Sequence, residues 1–240
     1  MKTKANKKRR IILLAIPALL ILSLCLYMAD YYRAGDAARA ALLSDDVLVE
    51  ETDFGWFFDG PAADAALIFY PGAKVEETAY APLLHRLARS GPDVFLLRMP
   101  LHIALLGTER AQAVMERYDY ARWYVGGHSL GGLAAADFAA EHAVAGVVLL
   151  AAYPTKPLEE PMLLICGTED GVINRERMAK AQSLGTVEEL TIPGGNHADF
   201  GDYGAQWRDN AALIPPERQQ RETAEAVAAW IARSESAGAA

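Results

Sequence analysis

The chain has 240 residues, 52% of them hydrophobic, enough for one ordinary core and too apolar for a disordered chain. Six of the 23 Lys+Arg lie in the first ten residues with no acidic residue among them, so the remainder carries 17 basic against 31 acidic side chains, a net of −14. That balance argues against nucleic acid as a partner. Only two cysteines occur, Cys25 in an apolar segment and Cys166 at the end of an apolar run, which excludes a disulfide framework.

Residues 1–10 read as a basic segment held in the cytoplasm by the positive-inside rule. Residues 11–28 contain no charge and are expected to form a transmembrane anchor, since about 20 apolar residues cross a bilayer. A cleavable signal peptide competes with that expectation. Its apolar part is usually shorter, and the candidate cleavage site Ala38-Arg39-Ala40 lies far downstream. The expectation is therefore a single-pass protein of the cell membrane, with its main domain on the extracytoplasmic side. Residues 29–44 read as a helical continuation or stalk, and residues 45–235 as the domain.

Two early strands are expected at Val47–Glu51 and Gly55–Phe58, forming a hairpin around Asp53. Apolar runs at Ala65–Tyr70, Val94–Leu97, Trp123–Val125, Gly146–Ala151 and Met162–Cys166 predict further strands, with a last short strand at Val187–Ile192. Helices are expected between them: near Tyr80–Leu87, at Thr108–Tyr118, Leu133–Ala140 and Arg175–Ser183, with a closing helix at Glu217–Arg233. The alternation predicts an α/β fold with a mainly parallel sheet flanked by helices, and a site at the carboxyl ends of the strands. The stretch between Ala152 and Met162 is too short for a cap domain, so the site is expected to be an open cleft.

Gly127-His128-Ser129-Leu130-Gly131 is a G-x-S-x-G turn between a strand and a helix, the nucleophile-elbow pattern. A serine hydroxyl is a weak nucleophile and needs a base. His197, in the loop Gly194–Ala198 after the last strand, is the expected base. His128 is expected to point away from the attack site, and His85 and His142 to be solvated or packed. The acid that orients the base is expected to be Asp170, with Glu169 as rival. The order Ser129, Asp170, His197 is the one associated with this type of turn. The oxyanion is expected to be held by the N–H groups of Leu130 and Ala73, with Lys74 as rival donor. The side chains of Lys74 and His102 are candidate substrate ligands. No metal or organic cofactor is called for.

Four pieces together resemble the α/β-hydrolases: Phe69–Val75, the elbow Gly127–Gly131, Gly167–Asp170 and Gly194–His197. Compact, lidless bacterial members with an N-terminal anchor are similar. Many members carry His-Gly before the oxyanion loop, where this chain has Pro71-Gly72. The resemblance implies a serine hydrolase acting on a carboxylic ester-type bond of a small acyl substrate through an acyl-enzyme. Acyl transfer through the same intermediate and a non-catalytic binding scaffold are the alternatives.

Overall fold

The computed structural model describes residues 2–238. The chain divides into two units, Met1–Tyr31 and Tyr32–Ala240.

The first unit is one helix, α1 (Lys2–Ala29). Among the described residues no helix is long and apolar enough to cross a membrane. The described side chains of the expected span run only from residue 13 to 27, short of the roughly 18–20 apolar residues a crossing needs. The side chains of residues 1–12 and 28, those of the basic segment among them, lie outside the described ones. Within the described part, Leu13, Leu14, Leu19 and Leu20 are all exposed.

The second unit opens with Tyr32, inside the stretch 29–44 that the sequence reads as a helical continuation or stalk. Ala34 and Ala38 are buried in the domain core. α2 (Asp36–Leu42) starts against Asp202. The Gly35 N–H donates to the Asp202 carbonyl at 2.8 Å, and the Ala38 N–H to its carboxylate at 2.8 Å. Tyr32 forms an isolated parallel bridge with Val75. Small alanine side chains let this stretch lie close on the domain, and sequence periodicity gave no sign of it.

Eight strands form one sheet: β1 (Val49–Thr52), β2 (Gly55–Phe58), β3 (Ala62–Tyr70), β4 (Pro92–Leu97), β5 (Arg122–His128), β6 (Gly146–Leu150), β7 (Met162–Gly167) and β8 (Val187–Ile192). Their order is β1-β2-β4-β3-β5-β6-β7-β8. β2 is antiparallel to both its neighbours, and β3 to β8 run parallel. The remaining helices are α3 (Ala81–Ser90), α4 (Arg110–Arg117), α5 (Leu130–Ala139), α6 (Arg175–Ala181) and α7 (Pro216–Gly238).

Alternate residues of each central strand feed two cores. Leu67, Phe69, Val148 and Leu150 meet Leu83 and Leu87 of α3 and Val227 and Trp230 of α7. Ala66, Ile68, Val125 and Leu149 meet Val114 of α4, Phe138 of α5 and Met178 of α6. Burial on both faces explains why these strands read as continuous apolar runs rather than alternating ones. The chain runs from β3 outward to β4 and then returns to β5 on the other side of β3. In an open α/β sheet such a reversal opens a crevice at the carboxyl ends of the two strands.

Candidate active site

β5 ends directly at the crevice, and Ser129 follows it with φ 53° and ψ −121°. A non-glycine residue pays of order 1–3 kcal/mol for such a backbone, and it persists only where the surroundings enforce it. The enforcement is visible at Gly131. A Cβ there would stand 2.2 Å from the Tyr70 carbonyl and 2.4 Å from that of Pro71, so only glycine lets α5 start this close to the end of β3. Ser129 is half-buried and lines a cleft of about 260 Å³ together with Leu130, Leu133, Tyr153, Ile173 and His197.

His197 follows β8 and is 1% exposed. Its Nδ1 lies 2.9 Å from Asp170 Oδ2. A carboxylate accepts, so Nδ1 carries the proton and Nε2 the lone pair. Nε2 makes no hydrogen bond among the described residues. Catalytic hydrogen bonds are often long in the free enzyme and tighten only with substrate bound.

Asp170 is held by its own turn. Its Oδ1 accepts the N–H groups of Val172 at 2.9 Å and Ile173 at 2.8 Å, which leaves Oδ2 for the histidine. Burial alone would raise its carboxyl. The hydrogen bond and charge of His197, with the two backbone donors, outweigh burial and hold it below the ordinary aspartate value. Glu169 is turned to the neighbouring Thr168 hydroxyl at 2.9 Å.

Three side chains that the sequence did not single out fix these loops. Asp209 accepts the Gly171 N–H at 3.1 Å on one oxygen and the Ala198 N–H at 2.8 Å on the other, joining the acid loop to the histidine loop. The Arg175 guanidinium donates to the carbonyls of Gly167 at 3.0 Å and Thr168 at 2.9 Å. Gln219 of α7 accepts the Asn196 N–H at 2.9 Å and donates back to the Asn196 carbonyl at 2.8 Å. No short motif carries these three, because each reaches its loop from a distant or irregular stretch.

His128 does not line the cleft with Ser129. Its ring centroid lies 4.6 Å from that of His197, on the histidine side of the elbow. Burial, and then the neighbouring His197, push it well below the ordinary histidine value, so it is neutral; a weak influence of the His197 backbone works the other way. Tyr80 explains its place. The Tyr80 hydroxyl accepts the Gly72 N–H at 3.0 Å and lies 2.8 Å from His128 Nδ1, so it donates there. The loop after β3 is thereby tied to the elbow.

The remaining candidates divide. The Leu130 and Ala73 N–H groups make no hydrogen bond among the described residues. The Lys74 N–H donates to the His102 carbonyl at 2.8 Å, which removes it as an oxyanion donor. Lys74 and His102 are thus neighbours, both at positive φ, but neither lines the cleft with Ser129. Ala73 is not among the residues lining that cleft either. His85 packs beside Asp46 and His142 stacks on Phe138. Among the described residues no cluster of His, Cys, Asp and Glu could hold a metal ion.

The sequence model of the alpha/beta hydrolase family matches residues 66–221, which include Ser129, Asp170 and His197. The chain belongs to the alpha/beta hydrolase family. This hydrolase matches no curated protein by sequence. Its fold is similar to that of a ferulic acid esterase from Streptomyces cinnamoneus, at 20% identity and a TM-score of 0.59 over 72% of this chain and 68% of that one. It is similar to Est1E from Butyrivibrio proteoclasticus, at 16% identity and 0.55 over 79% and 99%. It is also similar to carboxyl esterase 2 from the fungus Tuber melanosporum, at 11% identity and 0.60 over 85% and 91%. At these identities the likeness is one of fold.

Proposed function

We propose that the chain hydrolyses a small carboxylic ester through an acyl-enzyme on Ser129. The buried Asp170–His197 pair, at 2.9 Å and opening on the same cleft as the strained Ser129, carries this proposal. His197 Nε2 takes the Ser129 proton as Oγ attacks the ester carbonyl. The resulting imidazolium is stabilised by Asp170, which keeps its negative charge. The N–H groups of Leu130 and Ala73 receive the oxyanion. His197 returns the proton to the leaving alcohol, and water then repeats the sequence on the acyl-enzyme. Labelling by a fluorophosphonate, together with turnover of a 4-nitrophenyl ester, tests it. Ser129→Ala should abolish labelling and lower kcat by on the order of 10⁶-fold. Labelling that persists in Ser129→Ala sinks the assignment.

We infer further that residues 11–28 hold the protein at a membrane with the domain on the extracytoplasmic side. Support comes from a charge-free stretch behind six basic residues and from the exposed leucines of α1. The full chain should stay with membranes after alkaline carbonate extraction. Release into the wash would refute the anchor.

A further inference from the structure

The cleft beside Ser129 is lined on one side by Tyr153 and Thr155, from the loop after β6, and on the other by Val172, Asn174 and Arg177. Among the described residues that line it none is acidic. The geometry points to a substrate that carries a carboxylate on its acyl part, with the Arg177 guanidinium as the group that receives it. This rests on the esterase reading above.

Arg177 is exposed and has no carboxylate partner among the described residues. Several other arginines of this acidic chain do, among them Arg89 with Asp46, Arg98 with Glu51 and Glu77, Arg117 with Asp53, and Arg233 with Glu188, while Arg175 is used on backbone carbonyls and Arg208 on the Trp207 ring. The backbone place of Arg177 on α6 is fixed, because its main-chain N–H donates to the capping Asn174 Oδ1 at 3.0 Å. Beyond Arg177 the surface continues into a second depression of about 310 Å³, which shares Tyr153, Thr155 and Arg177 and adds Lys180. That depression also lacks an acidic residue. With 31 acidic against 23 basic residues, the chain as a whole repels anions, so an unpaired cation on the wall of the cleft marks where one is accepted. A guanidinium grips a carboxylate with two parallel hydrogen bonds. The cleft volume, about 260 Å³, lies below the roughly 300–1,000 Å³ of pockets for drug-sized ligands, which fits a short acyl chain.

The test compares two 4-nitrophenyl esters of equal chain length on the full protein: the glutaric monoester, which ends in a carboxylate, and the pentanoate, which ends in a methyl. The readout is the ratio of their kcat/KM values. In Arg177→Gln this ratio should fall roughly ten- to a hundred-fold, as expected for losing a charge-assisted hydrogen bond, and mostly through KM. Arg177→Lys should give an intermediate ratio, because a point charge replaces the fork. Added salt should shrink the parent's ratio. Arg221→Gln removes an equal charge on α7 and should leave the ratio alone. An unchanged ratio in Arg177→Gln, or an equal fall in Arg221→Gln, overturns the assignment of Arg177. If the parent turns over neither ester, or if turnover survives Ser129→Ala, the esterase reading itself fails and this inference with it.

Discussion

Asp170 divides its two oxygens between two tasks. One is spent on the N–H groups of Val172 and Ile173, the other on His197. An asparagine at this position can present the wrong group to the imidazole and stabilise the wrong tautomer. Asp170→Asn should therefore lower kcat/KM by on the order of 10⁴-fold, while Glu169→Gln stays within a few-fold of the parent. The reverse pattern, measured on one activated ester, would move the acid to Glu169. Asp199 makes a different prediction. Burial, then the charges of Asp209 and Glu217, raise its carboxyl from an ordinary 3.8 to about 6. Between those values the folded form holds the proton more tightly than the unfolded chain. The associated stability is whole below about 3.8 and is lost as pH rises to about 6. Asp199→Asn cannot ionise, so its Tm should match the parent's near pH 4 and exceed it above pH 6, with activity within a few-fold. A gain of equal size at both pH values would show that Asp199 titrates normally. At this scale the candidates Ser129, Asp170 and His197 stood out in the sequence because each lies in a short glycine-bearing motif, and the structure adds the 2.9 Å contact between His197 and Asp170. What a linear motif could not show is the contact of His128 with Tyr80, 48 residues away.

Between elements, the spacing of the site is set by backbone contact. A Cβ on Gly167 would stand 2.0 Å from the Gly195 carbonyl, so the end of β7 and the histidine loop are pressed together there. Asp209 closes the same two loops from outside, one oxygen to each. Asp209→Ala should leave the fold intact but let Asp170 and His197 drift apart. A misplacement of about 1 Å can cost on the order of 10²-fold in rate, and the loss should fall on kcat. A loss confined to KM would mean that Asp209 shapes the cleft instead. The central strands β3 to β7 were legible from apolar runs, because a sheet covered on both faces needs unbroken ones, whereas the edge strands β1 and β8 carry glutamates and are largely exposed. The loop carrying Asp209 was not, since Asp202–Pro215 has no period and is held by side-chain acceptors rather than by a ladder.

For the whole molecule, the boundary after Tyr31 matters more than the expected one near residue 44. Removing residues 1–31 should give a folded, active domain. Removing residues 1–43 also strips Ala34 and Ala38 from the core and leaves the Asp202 carboxylate without the Ala38 N–H. The longer deletion should melt several degrees lower, since each kcal/mol is worth about 2–4 °C in a domain of this size. Equal melting of the two truncations would show that α2 adds nothing. The same junction has a mechanical meaning. The Tyr32 N–H donates to the Lys74 carbonyl at 2.7 Å and its carbonyl accepts the Glu76 N–H at 2.9 Å, so the first residue of the domain is stitched to the loop that bears Ala73. Tension on the leader thus reaches the domain through the loop that bears Ala73. Tension on the far end enters through α7, which Gln219 couples to the histidine loop. A protein grafted to a surface by its leader would carry its load through the loop proposed to hold the oxyanion, and one grafted by its tail through the loop of the proposed base.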